Sequence, residues 1–170
     1  MPTDPDRDAL QTYLNDHLAG ATLGCDHARQ LEEMLAGDAE GQAMAEVASE
    51  IEADRDTLVA LMGRLGATKN PVKAATAWVA EKAGRIKFSG VSSQDRDLGV
   101  FLALETMSLG VAGKRSLWRA LQQVAGDVPE LESVDLADLI ARAESQRARL
   151  EQIREQRVRR ALLAEEHVVS

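Results

Sequence analysis

Apolar residues recur at every third or fourth position in four long segments of the chain, the spacing of one face of an α-helix. The four prolines stand at positions 2, 5, 71 and 129, outside the interiors of these segments. Because proline interrupts helices, this placement supports the periodicity. The pattern predicts long helices over about 6–36, 40–65, 95–125 and 135–163, and a short helix over 71–84. Gly37 and Asp38 predict a turn, with Asp38 as the N-cap of the second helix.

Composition agrees with a helical fold. Ala and Leu supply 27 and 21 of the 170 residues, whereas the chain has 13 Val, 4 Ile and only 3% aromatic residues. Strands favour β-branched and aromatic residues, so a β-sheet is disfavoured. The length suits one compact domain. We therefore expect a single all-α bundle domain over residues 1–170.

The lengths of the connections predict the topology. The first and second helices, and likewise the third and fourth, are joined by short turns and must form antiparallel hairpins. The second connection, 66–94, is long and contains its own short helix, as a crossover that climbs the bundle would. In helix number, helix lengths and this crossover, the chain resembles the ferritin-like superfamily. The resemblance implies a ferritin-like four-helix bundle in which the second and third helices run parallel.

The metal motif of that family is not intact here. Its di-metal site needs a Glu from each of two helices and a Glu-x-x-His from each of the other two. The candidate segments are Glu46–Ser49, Glu50–Ala53 and Glu144–Arg147, and none ends in histidine. We therefore expect no catalysis and no cofactor. The alternative is an unconventional iron or manganese site, whose candidate ligands would be His17, Glu50, Asp54 and Glu105.

Several polar residues interrupt the apolar stripes. His17 is interpreted as a hydrogen-bonded core residue, and a pair between His17 and Asp54 remains open. Glu105 is the one charge between Leu98 and Gly113, so we expect it to be buried and to need a cation. A hairpin centred near residue 129 or 130 places Glu105 opposite Arg154, and the same register predicts a second ion pair. That second pair joins Arg115 to Glu144.

Charge and cysteine content restrict the partners and the compartment. The net charge of −8 argues against nucleic-acid binding. Residues 1–65 carry 14 acidic and 4 basic side chains, whereas residues 66–125 carry 4 acidic and 9 basic. The basic stretch 69–88 predicts either a surface helix that offsets the acidic first hairpin or a patch for anionic lipid or nucleic acid. The lone Cys25 permits no internal disulfide and no Cys-based zinc site.

The acidic start, MPTDPDRD, contains no apolar stretch, so we expect no signal peptide, no membrane insertion and a cytoplasmic location. Trp118 and Leu121 extend the apolar surface of the third helix, which predicts a two-fold homodimer. The predicted function is that of a non-catalytic, self-associating bundle with an interaction or scaffold role and an unidentified protein partner. The alternative is the metal-binding bundle described above.

Overall fold

The computed structural model describes residues 5–68 and 93–163, and this part of the chain is all-α. Its four long helices are α1 (Arg7–Leu35), α2 (Gly41–Arg64), α3 (Ser93–Val124) and α4 (Leu136–Leu162), with a 3₁₀ turn at Pro129–Leu131 before α4. The prediction of an all-α bundle is confirmed, and each helix end lies within two residues of its predicted place. The short helix expected over 71–84 and most of the crossover lie outside the described residues.

Local interactions explain four of the helix ends. The carboxylates of Asp6 and Asp135 cap α1 and α4 by accepting hydrogen bonds from the backbone N–H groups of Ala9 and Asp138. Gly37 and Gly66 adopt positive φ angles of 88° and 64°, which is why glycine follows each of the first two helices.

The predicted cap of α2 is wrong. Glu40, not Asp38, occupies the N-cap position, and its side chain makes no capping hydrogen bond. The Asp38 carboxylate instead binds the guanidinium of Arg157 on α4. Gly41, the first residue of α2, passes so close to α1 that a Cβ atom there would lie 2.6 Å from the Leu35 carbonyl oxygen. The turn between α1 and α2 is therefore shaped by its neighbours as well as by its own sequence.

Contacts between the helices define their order and directions. α1 packs against α2 and α3, and α4 packs against the same two helices, so α2 and α3 occupy opposite corners. His27 Nε2 lies 2.9 Å from the Ala103 carbonyl oxygen, and Arg96 Nη2 donates to the Met34 carbonyl at 2.5 Å. α1 and α3 are therefore antiparallel, and since α1 and α2 form a hairpin, α2 and α3 point the same way.

The apolar interior consists of two clusters, one towards each end of the bundle. The first is built around Leu31, Met44, Leu104 and Leu150, and the second contains the fully buried Trp118. A layer of polar side chains lies between them, and a second polar group closes the bundle beyond the first cluster. The bundle therefore alternates apolar and charged layers along its length.

The closing group is centred on Arg157 of α4, whose side chain is only 1% exposed. Its Nη1 lies 3.1 Å from Asp97 at the start of α3, and its Nη2 binds Asp38 and lies 3.3 Å from Glu40. One guanidinium thus contacts three carboxylates from two other parts of the chain. Hydrogen bonds from both Nη atoms offset much of the cost of its burial, although its buried Nε has no hydrogen-bond partner.

Replacing Arg157 should destabilise the bundle strongly. Arg157→Met leaves three carboxylates close together without their cation, so we expect a loss of about 3–5 kcal/mol in the free energy of unfolding. Arg160→Met removes an exposed arginine from the same helix and should change it by about 0.5 kcal/mol or less. Urea unfolding of both variants measures the difference, and equal midpoints would contradict the role assigned to Arg157.

Candidate functional site

The polar layer between the two apolar clusters is the most unusual part of the interior. Asp54 of α2 and Gln146 of α4 are completely buried, and Lys114 of α3 reaches both of them. Lys114 Nζ lies 2.5 Å from Asp54 Oδ2 and 2.6 Å from Gln146 Oε1, while Gln146 Nε2 donates to Asp54 Oδ2 at 3.1 Å. Three helices, including the two at opposite corners, therefore meet through three side chains.

Three partly buried residues extend this layer to the surface between α2 and α4. Gln146 Nε2 also donates to Glu50 Oε2 at 3.1 Å, and Arg149 pairs with the same carboxylate. Arg142 Nη2 lies 2.8 Å from Asp54 Oδ1, a charge contact without the geometry of a hydrogen bond. The polar layer thus consists of six residues: Glu50, Asp54, Lys114, Arg142, Gln146 and Arg149.

The electrostatics of the layer follow from burial and pairing. Desolvation lowers the pKa of Lys114, and the Asp54 carboxylate offsets only part of that effect. Desolvation also opposes ionisation of Glu50, but hydrogen bonds from Arg149 and Gln146 outweigh it and lower the pKa of that carboxyl. Two carboxylates thus face three cations. These charged groups pair with one another, and such pairing is more typical of a structural network than of an acid–base site.

A groove of about 340 Å³ opens to solvent beside this layer, between α2 and the start of α4. Its charged lining consists of Arg64 and Arg142 together with Asp135 and Asp138. Equal numbers of cations and carboxylates give the groove no clear preference for a ligand of either charge. Arg142 is also engaged with Asp54, and the groove therefore supplies no set of free groups converging on one point.

The four candidate metal ligands do not form a common site. Among the described residues, no group of three or more His, Cys, Asp or Glu side chains is placed to hold a metal ion. Asp54 is paired with Lys114 rather than with His17, so the open alternative of a His17–Asp54 pair is wrong. The rings of His17 and Tyr13 meet edge to face with their centroids 4.6 Å apart, and burial lowers the pKa of His17.

Both ion pairs named from the C-terminal hairpin register have the expected partners. Arg115 Nη1 lies 3.6 Å from Glu144 Oε1, and Arg154 Nη1 lies 3.5 Å from Glu105 Oε1. The expectation that Glu105 is buried is wrong, because its side chain is 46% exposed. Arg154 lies closer to Glu151, at 2.5 Å. Glu105 therefore belongs to a surface pair, a kind that contributes little to stability.

The outward face of α3 carries large apolar side chains. Leu98, Leu102 and Leu109 are 38%, 46% and 69% exposed, so this helix is not buried on all sides. The two residues expected to extend an apolar surface, Trp118 and Leu121, are instead buried in the second cluster. α3 therefore has an exposed apolar face, but Leu98, Leu102 and Leu109 form it rather than Trp118 and Leu121.

Sequence reasoning missed Lys114, Arg142, Gln146 and Arg149. A signal existed for two of them, since Lys114 follows Val111 and precedes Trp118 on the inward stripe of α3, and Gln146 follows Ala143 in the same way on α4. No hairpin register could pair Lys114 with Asp54, because these residues lie on diagonal helices joined by the longest connection. Their contact depends on the packing of all four helices.

Comparisons with protein-family models, with curated proteins and with solved structures found no match to this chain. Across residues 5–68 and 93–163, no helix is long and apolar enough to cross a membrane. The comparisons therefore suggest no chemistry for the site, and its geometry is the basis for the proposal below.

Removing the central carboxylate should be costly. Asp54→Ala leaves the Lys114 ammonium buried without its anion, so we expect a loss of about 3–5 kcal/mol in the free energy of unfolding. Asp56→Ala, at an exposed position two residues away, is the matched control and should change it by about 0.5 kcal/mol or less. Chemical unfolding followed by circular dichroism measures both. A parent-like Asp54→Ala would show that the layer is not structural.

Stability should fall in mild acid because of His17. Its pKa is lower in the folded protein than the usual value of about 6.5, so the unfolded chain binds more protons between these two values. The free energy of unfolding therefore decreases as the pH falls from about 6.5 through the folded pKa. His17→Phe keeps a ring against Tyr13 and removes the titration, and should lose less stability over this range. Parallel melting curves from pH 7.5 to 5 would contradict this assignment.

Proposed function

We propose that this protein is a non-catalytic, self-associating helical bundle of ferritin-like ancestry that acts in the cytoplasm as an interaction or scaffold protein. The observation that carries the proposal is the row of exposed leucines on α3. A folded monomer rarely leaves large apolar side chains in one contiguous face, and such faces mark protein–protein contacts. The partner proposed first is a second copy of the chain, because two-fold homodimers are the commonest assemblies of soluble proteins.

The interior supports a non-catalytic role. Ferritin-like bundles place carboxylates and histidines from facing helices around metals in the bundle core. In this chain the corresponding central space holds Lys114, Asp54 and Gln146, hydrogen-bonded to one another. The lysine ammonium supplies within the core the positive charge that a metal would otherwise bring. The carboxylate of Asp54 is thereby engaged in holding helices together.

The directions of the helices support the proposed ancestry. A bundle whose second and third helices are parallel needs one long crossover, which is the feature that separates ferritin-like bundles from simple up-and-down bundles. α2 and α3 point the same way, and 28 residues, 65–92, separate their ends. The net charge of −8 and the single cysteine agree with a cytoplasmic protein that does not bind nucleic acid.

Sedimentation velocity of the full chain, from low to high micromolar concentration, tests the proposal. We expect a species of twice the 18.4 kDa chain mass at the upper concentrations and partial dissociation at the lower ones. A species of the chain mass at every concentration would contradict self-association. Elemental analysis of the same preparation tests the other part of the proposal, and stoichiometric iron or manganese would refute the non-catalytic, metal-free bundle.

A further inference from the structure

Large and small side chains are arranged in a definite order along the outward face of α3. Self-association by itself does not require that order. Its large side chains occupy the first half, and small residues occupy the second half. Leu98, Leu102 and Leu109 are followed on the same face by Gly113, Ser116 and Ala120, with the exposed Val124 near the end. Open space surrounds the position where a Cβ atom of Gly113 would lie. Ridges and hollows thus follow one another along a single helix.

We infer that a second copy docks on this face with its α3 antiparallel, about a two-fold axis near residue 111. This inference rests on the proposed self-association and specifies its interface. In this register Leu109 of each copy lies over Gly113 of the other, Leu102 lies over Ala120, and Leu98 meets Val124. Each large exposed side chain then lies against a small residue or against another exposed apolar residue, so the two helices can approach closely.

Charge complementarity supports the same arrangement. Glu105 and Arg119 lie along the same edge of the exposed face, and a two-fold axis brings like edges of two antiparallel helices together. Glu105 of one copy then lies beside Arg119 of the other, about 3 Å apart along the helix axis, and the symmetry forms the pair twice. Arg119 is exposed and has no ion-pair partner among the described residues, so it is available for this contact.

The pairing of Glu105 within its own chain leaves room for a second cation. Arg154 Nη1 is 3.5 Å from Glu105, whereas Arg154 Nη2 lies 2.5 Å from Glu151. The Glu105 side chain also remains 46% exposed. Glu105 can therefore accept a second cation, and in the proposed register Arg119 of the second copy provides it.

A different register loses these advantages. If the two copies slide so that Leu109 meets Leu109, the axial separation between Glu105 and Arg119 grows to about 9 Å. In that arrangement Glu105 lies opposite Gly113 of the other copy, and two bulky leucines collide at the axis. Of these two registers, the one centred near residue 111 satisfies both size and charge.

The face is also complementary to itself. One helix carries both the large side chains and the small residues that receive them, and it also carries both members of the proposed ion pair. A two-fold interface requires such a patch, because each contact between residues i and j forms a second time between j and i. A second copy of the chain is therefore the occupant that the face fits.

Charge reversal combined with sedimentation equilibrium tests the register. We expect Glu105→Arg and Arg119→Glu each to raise the dimer dissociation constant at least tenfold, because each creates two like-charge contacts. The double variant restores both pairs with their signs exchanged, and should return the constant to within threefold of the parent value. Glu33→Arg, an exposed glutamate on α1, is the matched control and should leave it unchanged.

A steric variant gives an independent readout. Gly113→Leu fills the hollow that receives Leu109 and should raise the dissociation constant at least tenfold. The melting temperature of the monomer should not fall, because leucine favours a helix more than glycine does and open space surrounds this position. Gly63→Leu is its control, because Gly63 is also an exposed helical glycine with open space around it, on α2. A dimer indifferent to all of these changes would overturn the register and leave the proposed self-association standing.

A parent chain that stays monomeric would overturn both proposals. If Gly113→Leu also lowered the melting temperature of such a monomer, the face would be covered within the chain instead of by a second copy. Restoration of the dimer by the double charge reversal is the result that no other occupant of the face would produce.

Discussion

The contact between Lys114 and Asp54 is the interaction on which the arrangement of the four helices depends. It joins α2 to α3 across the diagonal of the bundle, and Gln146 connects it to α4. A carboxylate without any exposed surface needs nearby cations and hydrogen-bond donors, because desolvation of the charge costs several kcal/mol. Lys114 and Gln146 reach Asp54 only if α2, α3 and α4 keep one rotation about their axes and one position along the bundle.

Arg157 imposes a comparable constraint at one end of the bundle. It collects carboxylates from the turn between α1 and α2 and from the start of α3. Apolar packing between helices rich in Ala and Leu discriminates poorly between neighbouring registers, since one leucine resembles the next. Two charged layers separated by an apolar cluster resolve that ambiguity for α2, α3 and α4, because sliding one of these helices by one turn would leave buried charges unpaired.

The distribution of charge differs between the interior of the bundle and the outer face of α3. Inside the bundle, each cation of the polar layer contacts a carboxylate, and the groove beside it has balanced charges. The outer face of α3 is different, since it exposes leucines and carries few charges. This face, with its exposed leucines, is the basis of the self-association that we propose.

The periodicity of the sequence by itself determined the four long helices, because a three-to-four residue spacing and the placement of proline and glycine are local properties. The position of the short turn also determined the partners across the C-terminal hairpin, as the proximity of Arg115 to Glu144 and of Arg154 to Glu105 shows. These depend only on a short turn and the rise per residue.

Only the tertiary structure decided which charged side chains face inwards. Glu105 was expected inside and lies on the surface, whereas Lys114 went unnoticed and lies in the centre, since no hairpin relates α3 to α2. Burial of a charge depends on partners from several helices at once. A pattern read along one helix contains no information about the residue that a diagonal neighbour places against it.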